Sequence, residues 1–180
     1  MKTLHSILFL VIVSLYSCNS SSKAELEKSS LKSPRALKKE IDSTLNLWHK
    51  AASEANYEDY FNLMTNDGVF IGTDATENWQ NEAFKAFSKP YFDKGKAWSF
   101  TAVERNVYVY DDKELAWFDE LLDTQMKLCR GSGVMKLVEG KWKVAHYVLS
   151  ITIPNDNVNE VINMKANTDS ILTERLKIKD

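Results

Sequence analysis

Four long stretches in the second half of this chain alternate with a period of two. They run from Phe100 to Tyr110, Leu115 to Thr124, Met126 to Val138 and Trp142 to Ile153, and are rich in β-branched and aromatic residues. Asp111-Asp112-Lys113 and Glu139-Gly140-Lys141 are connections short enough for hairpins, so these strands should pair antiparallel. Such a sheet has an apolar face, and the earlier part of the chain has to supply its cover.

That earlier part reads as helices. Ser33-Pro34 is a cap followed by a proline suited to the first helical turn. Leu37, Ile41, Leu45, Trp48, Ala52 and Ala55 then recur at spacings of three and four. Tyr57, Tyr60, Phe61 and Met64 continue as a second short helix closed by the turn residues Asn66-Asp67-Gly68, and Val69 to Ile71 follows as a short strand. A polar loop, Gly72 to Asn78, leads into a third helix carrying Phe84, Phe87 and Tyr91, which Pro90 should kink or end. Helices first and strands last make an α+β domain over 34–154, with the helices packed on one face of a curved antiparallel sheet. With 44% apolar residues, the chain can fill one such core. Residues 155–180 form a C-terminal helical tail, capped by Asn155 or Asp156. Val158, Val161 or Ile162, Lys165, Ile171 and Leu176 give it a broken apolar stripe.

The first residues differ from the rest. Lys2 precedes the apolar run Ile7 to Val13, too short to span a bilayer, and Leu15-Tyr16-Ser17-Cys18 follows. The segment resembles a bacterial lipoprotein signal. It implies a signal peptide over 1–17, lipidation at Cys18, a Lys- and Ser-rich tether over 18–33, and a protein held at the cell envelope on its periplasmic or outer-membrane face; the alternative is a plain secreted protein. Cys129 would then have no partner within the chain, leaving stability to the core. Lys and Arg number 23 against 25 Asp and Glu, a net charge of -2, which provides no basic field for nucleic acid.

Several motifs occur in a telling order: Phe70-Ile71-Gly72-Thr73-Asp74, Ala116-Trp117-Phe118-Asp119-Glu120, Arg130-Gly131-Ser132-Gly133-Val134 and Gly140-Lys141-Trp142-Lys143-Val144-Ala145-His146-Tyr147. From Ala36 to Pro154 the chain resembles the SnoaL-like branch of the nuclear transport factor 2-like (NTF2-like) superfamily. The resemblance implies a cone-shaped fold with a pocket between sheet and helices. The superfamily includes isomerases, cyclases, hydratases, ligand binders and oligomerising modules, so the fold alone does not fix the chemistry. No motif here matches the carboxylate base and acidic donors of the ketosteroid isomerases.

Candidate chemistry sits on the strands. Asp119 and Glu120 are adjacent, so their side chains leave from opposite faces. Either one, flanked by large apolar neighbours, would suit a general base, or would pair with Arg130 across the sheet. Arg130, beside Gly131 and Gly133, could hold a carboxylate or enolate oxygen of a ligand. His146 shares parity with Trp142, Val144 and Val148, which places it among apolar residues as a proton relay or a core histidine. Asp119, Arg130 and His146 lie on three successive strands and meet if the register allows. His49, next to Trp48 on the first helix, reads as solvated. Trp48, Trp79, Phe87, Tyr91, Trp98 and Trp117 are candidates to wall a ligand pocket or to fill the core. Asp74 and Glu77 either rim the pocket mouth or cap the third helix, and Val107, Val109 and Met135 are candidates for an exposed homodimer face. There is no histidine or cysteine spacing for a metal, no phosphate-cradling glycine loop and no nucleophile elbow. The expectation is a cofactor-independent isomerase, hydratase or cyclase acting on a small, largely apolar molecule; the alternative is a non-catalytic ligand-binding or dimerisation module.

Overall fold

The computed structural model describes residues 32–111 and 113–178, so the signal segment, Cys18 and most of the tether lie outside the described residues. Helix α1 (Pro34–Ser53) begins where expected: Ser33 Oγ accepts from the Ala36 amide at 3.2 Å, with Pro34 in the first turn. It ends before Ala55, whose φ of 54° is left-handed. A short α2 (Tyr57–Asn62) follows, then β1 (Met64–Ile71), β2 (Asn78–Gln80), α3 (Asn81–Asp93), β3 (Phe100–Val109), β4 (Leu115–Thr124), β5 (Lys127–Val138), β6 (Lys141–Ile151), and finally α4 (Val158–Lys177) after a 3₁₀ turn over Asn155–Asn157.

The α+β class stands, with one change to the sheet. The six strands run in the order β2-β1-β6-β5-β4-β3, and the β3 to β6 meander is antiparallel, but β1 pairs parallel to β6. Met64 belongs to this strand rather than to the second helix. The Leu63 carbonyl accepts from the Val144 amide at 2.8 Å and Met64 pairs with Val144, so the chain enters the sheet early. Asn66-Asp67-Gly68 is therefore absorbed as an irregularity in β1 instead of forming a turn. Pro90 sits inside α3 without ending it.

The helices cover one face of the sheet, and the space between is filled with rings. Trp48 and Tyr60 are fully buried and stacked at 5.0 Å, Trp48 meets Tyr147 edge-on at 4.9 Å, and Phe70 lies flat on Phe84 at 4.2 Å. Val107 and Met135, expected on an exposed face, point into this core, and Val109 packs against it. Met135 keeps the inward parity of Cys129, Gly131 and Gly133 along β5, whereas Val107 and Val109 lie past a bulge in their own strand. In β3 the pairing slips between Ala102 and Glu104, and in β6 Ala145 is the extra residue between Val144 and His146. Past each bulge the alternation of faces inverts.

Helix α4 stands apart. None of its residues is buried, and its principal neighbour is the 3₁₀ turn at its own start. No helix among the described residues is long and apolar enough to cross a membrane.

Candidate functional site

The site is built around one carboxylate. Phe118, Glu120 and Leu122 form the inward set of β4, so Glu120 lies beneath α1 with no exposed surface. A buried carboxylate needs donors for both oxygens. Oε1 accepts from His49 Nε2 at 2.8 Å and from the Tyr147 hydroxyl at 2.8 Å. Oε2 accepts from Arg105 Nε at 2.7 Å.

Each donor is placed by a separate element. Arg105 is the direct cross-strand partner of Glu120 on β3 and shares parity with the inward-facing Val107. Its guanidinium is tied to α1: Nη1 donates to Asp42 Oδ1 at 2.6 Å, to the Asp42 carbonyl at 3.2 Å and to Asn46 Oδ1 at 2.8 Å. Tyr147 comes from β6 beyond the bulge. Gly131, opposite Glu120 on β5, leaves room for its hydroxyl: a Cβ there would overlap the Tyr147 oxygen and come within 3.0 Å of Glu120 Cγ. His49 projects from α1 between Trp48 and Phe100, with ring centroids 5.3 and 5.7 Å away.

The electrostatics follow from these contacts. Burial alone would raise the Glu120 carboxyl. The hydrogen bond and charge of His49, together with the Arg105 guanidinium, overcome it and bring the group below its ordinary 4.5. Burial, and then the charge and hydrogen bond of Glu120, push the Tyr147 phenol well above 10.0, so it remains a donor.

His49 also lines the wall of a surface cleft of about 280 Å³ between α1 and the start of β3. Asn46, Lys50 and Ser53 form one side; Ser99, Phe100, Thr101 and Ala102 form the other. With Nε2 committed to Glu120, Nδ1 is the ring nitrogen with no hydrogen-bond partner among the described residues. A second groove, of about 310 Å³, runs between α1 and α2 from Leu47 and Lys50 to Asn62 and Leu63, away from the carboxylate.

The other candidates are dispersed. Asp119 faces the opposite side of the sheet, where Asn106 Nδ2 donates to it at 3.1 Å. Arg130 is exposed on that outer face, with Leu121 and Ser150 as its cross-strand neighbours, and has no ion pair among the described residues. Glu120 takes its arginine from Arg105 instead. His146 is half-buried on the outer face as well, because the Ala145 bulge reverses the parity it shares in sequence with Val144. Asp119, Arg130 and His146 thus share a face, but not the one carrying the cleft. Trp48 is core, while Trp117 stacks on Tyr108 at 5.7 Å on the outer side, and Trp79 stacks on Phe87 at 4.7 Å with Tyr91 alongside. In the loop before β2, Asp74 accepts from the Thr76 amide and Glu77 from the Asp74 amide, bonds within the loop itself.

His49 is 4% exposed, not solvated as its place beside Trp48 suggests. The signal was present: Leu45, His49 and Ala52 repeat the four-three spacing of the buried stripe. Arg105, with Val107 and Val109 at the same parity, was a charge on an apolar face. Tyr147 passed as one more aromatic in a strand. Among the described residues no group of three or more His, Cys, Asp and Glu side chains could hold a metal ion.

Comparison with solved structures gives the fold a second footing. An NTF2-like protein of unknown function from Pseudomonas putida KT2440 superposes with a TM-score of 0.58 at 15% identity, covering 70% of this chain and 94% of that one. An NTF2-like protein from Cytophaga hutchinsonii superposes at 0.54 with 17% identity, covering 67% of this chain and all of that one. At these identities the likeness concerns the fold. A comparison with curated proteins finds no match. The model of the SnoaL-like domain family matches residues 41–154, which takes in α1 from Ile41 through the end of β6, and the chain belongs to that family.

Proposed function

We propose that the domain binds a small molecule in the cleft beside His49 and handles a proton there without a cofactor. One observation carries this: a buried histidine fixed through one nitrogen by a buried carboxylate, on the wall of an open cleft. With the Nε2–H donated in a hydrogen bond to the Glu120 carboxylate, the lone pair of the neutral ring lies on Nδ1. A proton taken there creates an imidazolium that the carboxylate stabilises. Arg105 and Tyr147 hold Glu120 in place, so it acts as a positioning group rather than as a base of its own. Picking up a proton from one ligand atom and returning it to another is the chemistry of an isomerase, hydratase or cyclase. Phe100 and Ala102 offer the cleft an apolar side; Lys50, Asn46 and the hydroxyls of Ser53, Ser99 and Thr101 would bind a polar group.

The test is mass spectrometry of small molecules that remain with the purified protein, with His49→Asn as the comparison. We expect a specific compound on the wild type and at least about tenfold less on the variant, since the lost contact is worth about 1.4 kcal/mol. Equal amounts on both would defeat the assignment of the cleft.

A second reading, assembly without catalysis, rests on the outer sheet face. Tyr108 and Trp117 are 41% and 48% exposed there and aligned with Val134 and His146, a largely aromatic row suited to a second copy in a homodimer. We also propose that the chain is exported and lipid-anchored through Cys18, supported by the apolar run and the lipobox-like Leu15-Tyr16-Ser17-Cys18. Cys18→Ala should shift the protein from the membrane fraction to the soluble one. Undiminished membrane association would end the lipoprotein claim.

A further inference from the structure

We infer that α4 is a self-complementary docking helix that pairs antiparallel with α4 of a second copy. The helix is 20 residues long, about 30 Å at 1.5 Å per residue, and its own domain buries none of it. Most helical stability in proteins comes from packing an amphipathic face, and α4 has no buried face within its own domain.

The face exists, and its pattern selects the partner. Val158, Ile162, Lys165, Asp169, Leu172 and Leu176 are spaced four, three, four, three, four, the seam of a coiled-coil helix. Ile162 and Leu176 are 53% and 52% exposed. At the centre of the seam Lys165 and Asp169 form an ion pair at 2.8 Å, with half-exposed side chains.

The seam is symmetric in charge and in shape about position 167. In an antiparallel pair with its two-fold axis at that level, Val158 meets Leu176 of the other copy, Ile162 meets Leu172, and Lys165 meets Asp169. The reciprocal contacts follow, as an isologous interface requires. Two apolar layers on each side would then enclose a ring of four alternating charges. A parallel pair would set Lys165 against Lys165 and Asp169 against Asp169, so the charges choose the antiparallel arrangement. This interface is separate from the outer sheet face and uses none of its residues.

Charge exchange in the full chain tests the inference, with Cys18→Ala present throughout so that lipid does not affect the mass. Sedimentation at about 50 µM, where micromolar dimers are well populated, should show the parent protein, unchanged at Lys165 and Asp169, at twice its monomer mass. Lys165→Asp places four acids in the ring and Asp169→Lys four bases. Each variant alone should self-associate about tenfold more weakly or worse. An equimolar mixture of the two, or the double variant Lys165→Asp with Asp169→Lys, should recover the dimer. Because α4 contributes nothing to the core, the melting transition of the domain should not move in any variant, and circular dichroism checks this. A monomeric parent protein, dimers unaffected by either single variant, or a mixture no more associated than its components would each overturn the inference. Dimers unaffected by the exchange would point to the sheet face instead.

Discussion

Glu120→Ala should lower the stability of the domain by about 3 to 5 kcal/mol, the usual cost of removing one partner from a buried ion pair. The loss strands three donors at once. Arg105, with 5% of its side chain exposed, keeps Asp42 and Asn46 but loses its only contact through Nε, and its Nη2 already has no partner among the described residues. The His49 Nε2 and the Tyr147 hydroxyl would face an empty space. Glu120→Gln keeps the shape and one acceptor oxygen, so it should cost less than the alanine. Urea unfolding of the three proteins measures the order, and an alanine variant within about 1 kcal/mol of wild type would show that the network carries little stability.

The same carboxylate gives the stability a pH dependence of known sign. The Glu120 carboxyl is held below 4.5 in the folded protein. Its contribution is therefore complete above the unfolded value and is lost as pH falls through the lower folded value. Wild-type stability should fall on acidification below about pH 4.5, and the part of that fall due to Glu120 should be missing from Glu120→Gln.

Trp48→Ala should be comparably damaging, at about 3 to 5 kcal/mol. Its indole is fully buried and touches Tyr60, Phe70 and Tyr147, which come from three different elements, so the cavity cannot close by moving one of them. Trp48→Phe separates shape from polarity. The buried Trp48 Nε1 has no hydrogen-bond partner among the described residues, so phenylalanine removes an unsatisfied donor while keeping most of the ring contact. The phenylalanine variant should lose less than half as much as the alanine. Equal losses would mean that the indole nitrogen does have a partner in solution.

These sites show what the sequence could and could not convey. The hairpin strands were legible because a half-exposed sheet writes a period of two into the chain, and α1 was legible from its stripe and its Ser33-Pro34 start. Glu120 and Asp119 are adjacent candidates from the sequence, and periodicity leaves only the side of β4 open. His146 went to the wrong face because Ala145 adds one residue to β6, and a bulge leaves no mark in the alternation until the pairing partner is known. His49 was misplaced for a different reason. A polar residue on the rim of an apolar stripe is buried only if something opposite can satisfy it, and that acceptor lay 71 residues further along. Arg105 likewise depends on distant partners, Glu120 on β4 and Asp42 on α1. Long-range partners decide where a charge is allowed, and local periodicity cannot name them.

The parallel pairing of β1 with β6 also sets an order of events in time. Met64 contacts Val144 and Phe70 contacts Tyr147, whereas each pairing within the β3 to β6 meander joins neighbours in the chain. The meander can form by closing short loops, but β1 cannot dock until the last strand exists and nearly the whole domain has been looped back. The His49–Glu120 contact joins α1 to β4 and belongs to that late closure. The chain should therefore collapse from its C-terminal half, with the N-terminal helices and the buried Glu120 network assembling last.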